Sequence, residues 1–86
     1  MDRKKIFNKI RTVIIREFRK DKRLIGMGSS LRNDLAFDSV DQIVLVMELE
    51  ESFKIQISDG ELETLTTIAE IIKIVERKLR SEDKDV

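Results

Sequence analysis

The stretch Asp38-Ser39-Val40-Asp41-Gln42-Ile43-Val44-Leu45-Val46-Met47-Glu48-Leu49-Glu50-Glu51-Ser52-Phe53 reads as a helix with two apolar sides. At about 100° per residue, Leu45, Val46, Leu49 and Phe53 gather on one side. Val40, Ile43, Val44 and Met47 fall on nearly the opposite side, bordered by Glu50 and Glu51. A small bundle buries one stripe of a helix and not both. The first group is therefore the expected core face and the second an expected partner surface. The start of this helix fits two registers. Asp38 has the side chain of an N-cap, and Ser39 with Gln42 has the spacing of a capping box.

Working outward, Ile6, Phe7, Ile10, Val13, Ile14 and Phe18 recur at helical spacing and predict a first helix over 3–20, with Ile15 off the centre of its stripe. Lys4, Lys5, Lys9, Arg11, Arg16 and Arg19 lie mostly off that stripe and form a solvated basic face. Between 21 and 37 the periodicity dissolves around Gly26-Met27-Gly28-Ser29-Ser30, a long loop with Leu24, Leu31 and Leu35 as expected anchors to the core. Ile55 and Ile57 lie in a connector. Ser58 and Glu61 then have capping-box spacing for a short helix ending near Thr64, although Gly60 sits in its first turn. Thr67 and Glu70 repeat the capping signature ahead of Ile68, Ile71, Ile72, Val75 and Leu79, which predict a last helix over 68–80. The polar tail 81–86 is expected to fray. The expected architecture is all-α, a four-helix bundle of three longer helices and one short one, in a single domain over 1–86 with its core over 3–80.

Composition narrows the chemistry. Eighty-six residues suit one small domain with little room for a deep cleft. The chain has no Cys and no His, which removes thiolate chemistry, disulfides and the commonest general base and metal ligand. Asp34, Asp38 and Asp41 do not follow the spacing of a calcium loop and lack its central glycine. No apolar run is long enough to span a membrane, and the charged Met1-Asp2-Arg3-Lys4-Lys5 start is unlike a signal peptide, so a cytoplasmic location is expected. The formal charge is zero but unevenly spread. Residues 1–30 hold ten Lys/Arg and three Asp/Glu, whereas 31–86 hold seven and fourteen. One part of the chain attracts anions and the other repels them.

Leu31, Asp34-Leu35, the Asp38-Ser39 pair and Leu45-Val46-Met47-Glu48-Leu49-Glu50-Glu51-Ser52-Phe53 together resemble the acyl carrier protein family. The overlap runs over about 6–79, and its specific part lies within 31–57. The resemblance implies that Ser39 is the covalent attachment point for 4'-phosphopantetheine delivered from coenzyme A by a separate phosphopantetheinyl transferase. It implies a non-catalytic carrier, monomeric, whose arm holds acyl groups as thioesters for acyl-transferring or synthase enzymes of fatty-acid, lipid or polyketide-type synthesis. Asp38 would cap the helix and flank the site. Val40, Asp41, Ile43, Val44, Met47, Glu50 and Glu51 would meet basic docking patches on those enzymes. Val46, Leu49, Ile57, Leu65, Ile68 and Ile72 are expected either to line a shelter for the acyl chain or to be ordinary core.

The sequence also departs from the family's Leu-Gly-x-Asp-Ser-Leu pattern. Ala36 stands at the glycine, bulky Phe37 adjoins the Asp-Ser pair, Val40 replaces leucine, and Val44 stands where many members carry an acid. If the glycine position requires positive φ, Ala36 is strained there. With the basic first helix, these changes point to a specialised carrier. Two other classes compete. One is an unmodified interaction module using the Val40, Val44 and Met47 face. The other is a nucleic-acid binder using the basic region over 3–23, which the acidic half and the scarcity of aromatic side chains oppose.

Overall fold

The computed structural model describes residues 2–84, with side chains described through Arg80. Helix α1 spans Arg3–Phe18, α2 Ser39–Phe53, α3 Asp59–Leu62 and α4 Ile68–Lys84, with a 3₁₀ turn at Lys22–Leu24. This is the expected all-α arrangement of three longer helices and one short one. Asp2 starts α1 by accepting the Lys5 N–H at 2.8 Å. Both α1 and α2 stop on a basic residue in the left-handed region, Arg19 at φ 53° and Lys54 at φ 57°. The first helix therefore ends two residues before the expected boundary. The last one runs past Arg80 to Lys84, because Ser81-Glu82-Asp83-Lys84 contains no Gly or Pro to stop it. Of the tail expected to fray, 81–84 are thus helical in backbone, and residues 85 and 86 lie outside the described residues.

Contacts between helices fix their directions. Lys9 reaches the end of α2, where its Nζ donates to the Ser52 carbonyl at 2.8 Å and lies 5.0 Å from the Phe53 ring centroid. At the other end of α1, the Phe18 ring packs on Phe37, just before α2 begins, at 4.5 Å between centroids. The two helices are therefore antiparallel. Arg3 pairs with Glu76 at 3.2 Å, tying the start of α1 to the middle of α4. Lys9 is more than part of a solvated face. With no basic residue in the last turn of α2, it supplies a cation where that helix leaves its carbonyls and its negative dipole end.

The core is apolar throughout. Ile6, Ile10, Val13 and Ile14 of α1 meet Leu45, Val46, Leu49 and Phe53 of α2 and Ile68, Ile71, Ile72, Ile74 and Val75 of α4. The long loop is pinned rather than slack. Ile25, Leu31, Leu35 and Phe37 are buried, whereas Leu24, an expected anchor, is 46% exposed. Ile25 takes its place because the 3₁₀ turn closes at Leu24 and turns the next side chain inward. The loop backbone also caps α4. The Ile68 N–H donates to the Ser29 carbonyl and the Ala69 N–H to the Met27 carbonyl, satisfying first-turn donors that have no partner within the helix. An isolated antiparallel bridge pairs Ser30 with Thr67. The Thr67 hydroxyl accepts the Glu70 N–H at 3.3 Å, as its capping spacing predicts.

Ala36 has φ 56°, in the left-handed region where a Cβ is crowded. The strain expected from its replacement of glycine is present. Ala36→Gly should therefore stabilise the protein by about 0.5–1 kcal/mol, the relief of strain exceeding the added freedom of the unfolded chain. A rise in the urea midpoint at unchanged slope would show this, and a fall would show that the loop tolerates alanine without strain.

A polar clasp holds α3. Ser58 and Glu61 form the predicted capping box, with the Ser58 N–H donating to Glu61 Oε1 at 3.0 Å and the Glu61 N–H to Ser58 Oγ at 3.2 Å. Two cations of α4 close on the same carboxylate, Lys78 Nζ at 2.8 Å and Arg77 Nη2 at 2.6 Å. Lys78 first, then the Ser58 backbone N–H, hold the Glu61 carboxyl down to about 2. A carboxyl lowered by folding adds stability that is present above its unfolded value near 4.5 and is lost as pH falls toward about 2. Urea titrations across that range should show wild type losing about 1–2 kcal/mol more than Glu61→Gln, a range that allows for solvent screening of a side chain 21% exposed. Parallel curves for the two proteins would disprove the coupling.

Candidate functional site

The start of α2 settles the choice of register. Asp38 is the N-cap, in extended backbone, and its Oδ1 accepts the Asp41 N–H at 2.8 Å. Asp41 replies through Oδ2, which accepts the Asp38 N–H at 3.1 Å. The capping box is therefore Asp38 with Asp41, and Ser39 with Gln42 is not the box. Ser39 occupies the first helical position, exposed, and supplies neither capping bond. Its hydroxyl stands at the positive end of a 15-residue helix. That end suits an added phosphodiester.

Gln42 is used elsewhere. Its Nε2 donates at 3.0 Å to the carbonyls of both Leu62 and Leu65, clasping the first turn of α2 to the end of α3. Beside this clasp lies a shallow groove of about 250 Å³ bounded by Ser39, Gln42, Ile43, Leu62 and Glu63. No local pattern in the sequence announces this role for Gln42. Its acceptors lie 20 and 23 residues away and depend on where α3 packs.

The two-sided reading of α2 holds in three dimensions. Leu45, Val46, Leu49 and Phe53 are buried, while Val40 is 66%, Ile43 48%, Val44 39% and Met47 61% exposed. Four large apolar side chains on one helix face form the kind of patch that marks a partner site. Of its acids, Glu51 is exposed. Glu50 is half-buried and its Oε2 accepts the Ile57 N–H at 2.8 Å, steadying the connector to α3. Asp34 accepts the Ser30 N–H at 2.6 Å and shapes the loop. Phe37, next to the Asp38-Ser39 pair in sequence, is buried against Phe18 and leaves the approach to Ser39 open. Val46, Leu49, Leu65, Ile68 and Ile72 are buried core positions, and Ile57 is half-buried at their edge.

Comparison with known proteins gives this geometry its context. The family model for the phosphopantetheine attachment site matches residues 8–75. An acyl carrier protein of Campylobacter curvus is 36% identical over 72 residues, covering 84% of this chain and 94% of that protein. The chain belongs to the acyl carrier protein family. The acyl carrier protein of Thermotoga maritima is 32% identical over 77 residues, covering 90% of this chain and 95% of its own length. A crystal structure of an acyl carrier protein from that organism superimposes with a TM-score of 0.84, 32% identity and 94% coverage of both chains. As an acyl carrier protein, the chain bears a 4'-phosphopantetheine prosthetic group. The exposed serine, its independent cap and the adjoining groove fit such a group. Among the described residues no helix is long and apolar enough to cross a membrane.

Proposed function

We propose that Ser39 is the attachment residue and that this acyl carrier protein serves fatty-acid, lipid or polyketide-type synthesis without catalysis of its own. One observation carries the reading: Ser39 is exposed one position inside a helix whose cap is made entirely by Asp38 and Asp41. The hydroxyl is thus available to a transferase without loss of the helix start. When bound, the arm supplies a terminal thiol that carries acyl groups as thioesters. The chain's own residues present and steer it. Asp38 and Asp41 fix the serine, Gln42 and Ile43 border the groove beside it, and Val40, Ile43, Val44 and Met47 offer apolar contact to partner enzymes. Glu51 adds negative potential that speeds encounter with basic patches.

Incubation with coenzyme A and a broad-specificity phosphopantetheinyl transferase, followed by intact mass and peptide mapping, should place one arm on the peptide containing Ser39. Failure with several transferases, or an arm on another peptide, would overturn the assignment. The exposed apolar face also supports a second reading, an interaction module that works without the arm. Partner binding of equal strength before and after loading would favour it.

A further inference from the structure

The loop after α1 exposes side chains that a core-seeking loop would bury. Leu24 is 46% and Met27 42% exposed, while Ile25 between them is 4% exposed. Backbone geometry holds them outward. The Ser29 hydroxyl donates to the Leu24 carbonyl at 2.7 Å and accepts the Gly26 N–H at 2.8 Å, and the Ser29 N–H donates to the Gly26 carbonyl at 3.1 Å. The Met27 carbonyl accepts from Ala69 at 2.9 Å. Immediately before this loop the chain reads Arg19-Lys20-Asp21-Lys22-Arg23, in which Asp21 engages Arg23 at 2.7 Å. Arg19, Lys20 and Lys22 remain as a net positive collar.

We propose that this loop is a peripheral docking site for anionic lipid headgroups. Cations meet lipid phosphates, and exposed apolar side chains enter the boundary beneath them. Leu24 and Met27 are two exposed apolar side chains with the buried Ile25 between them in sequence, and they make no periodic stripe. A fluid bilayer accepts them without a matching pocket, which a folded acidic protein would have to provide. The loop also lies at the end of the bundle where α2 starts, since Phe18 packs on Phe37 and Lys20 Nζ stands 5.7 Å from the Phe37 ring centroid. Docking there brings the Ser39 end of the carrier to the bilayer. The site is a property of the unmodified chain and does not depend on the assignment of Ser39.

The test is co-sedimentation of the full chain, wild type and Ser39→Ala, with vesicles of phosphatidylcholine alone or mixed equally with phosphatidylglycerol. Both proteins are expected to bind the anionic vesicles at low salt and not the neutral ones. The pair Leu24→Ser with Met27→Ser and the pair Lys20→Gln with Lys22→Gln should each weaken binding by about tenfold or more. Removing the same charge at the other end of α1, Lys4→Gln with Lys5→Gln, should change it little. No binding to anionic vesicles overturns the proposal and leaves an acidic protein as the alternative partner. Equal loss in the Lys4 and Lys5 control, or full binding by the Leu24 and Met27 variant, also overturns it, because either means diffuse attraction without a docking loop. Unchanged circular dichroism of these surface variants confirms that the fold is not what failed.

Discussion

Ser39→Ala is expected to abolish loading with phosphopantetheine while leaving the protein folded and as stable as wild type to within about 0.5 kcal/mol. Both halves of that expectation come from the same geometry. A serine that capped α2 would cost about 1 kcal/mol on replacement by alanine. Here the cap is Asp38, its reciprocal partner is Asp41, and Ser39 lies exposed within the first turn, where alanine is a good helix former. Asp38→Ala is the informative contrast. It should lower stability by about 1 kcal/mol and fray the turn that presents the serine, slowing loading without eliminating it. Intact mass after exhaustive incubation with transferase and coenzyme A, with urea titration of each variant, separates the outcomes. Loading of Ser39→Ala would overturn the attachment assignment, and marked destabilisation by it would overturn the capping assignment.

Phe37→Ala should be the most damaging single change near the site, costing about 3–5 kcal/mol of a total near 5–15 kcal/mol. Phe37 is 4% exposed, stacks on Phe18 and lies under the Lys20 ammonium, so its loss opens a cavity where α1, the loop and α2 converge. Three residues along, Val40 is 66% exposed, and Val40→Ala should be nearly neutral. The urea midpoints of these two variants decide which side of the Asp38-Ser39 pair faces inward. A cost below about 1 kcal/mol for Phe37→Ala would mean that the ring is not an anchor.

The positions around Ser39 show how far one-dimensional reading reaches. The two faces of α2 were legible because helical periodicity assigns each residue a direction, and a small bundle leaves one face uncovered. Ala36 was legible as a point of strain, since a backbone that needs positive φ needs it whichever residue is there. The family resemblance pointed to the Asp38-Ser39 pair, but the capping register was ambiguous because Asp38 has the side chain of an N-cap while Ser39 with Gln42 has the spacing of a capping box. Direction within the loop was not legible. Leu24, Ile25 and Phe37 are apolar side chains without a periodic frame, and the turn at Lys22–Leu24 decided which of the first two went inside.

By itself the sequence determined the helical class, the extent of α2 and the caps at Ser58 and Thr67. These are local matters of periodicity, capping chemistry and spacing, fixed within a few turns of chain. Only the tertiary structure decided that Gln42 clasps α3, that Lys9 closes the end of α2, that Lys78 and Arg77 converge on Glu61, and that Phe37 turns away from the serine. Each of these joins different elements of the fold. Their partners are set by how the helices pack, and no local rule of sequence carries that information.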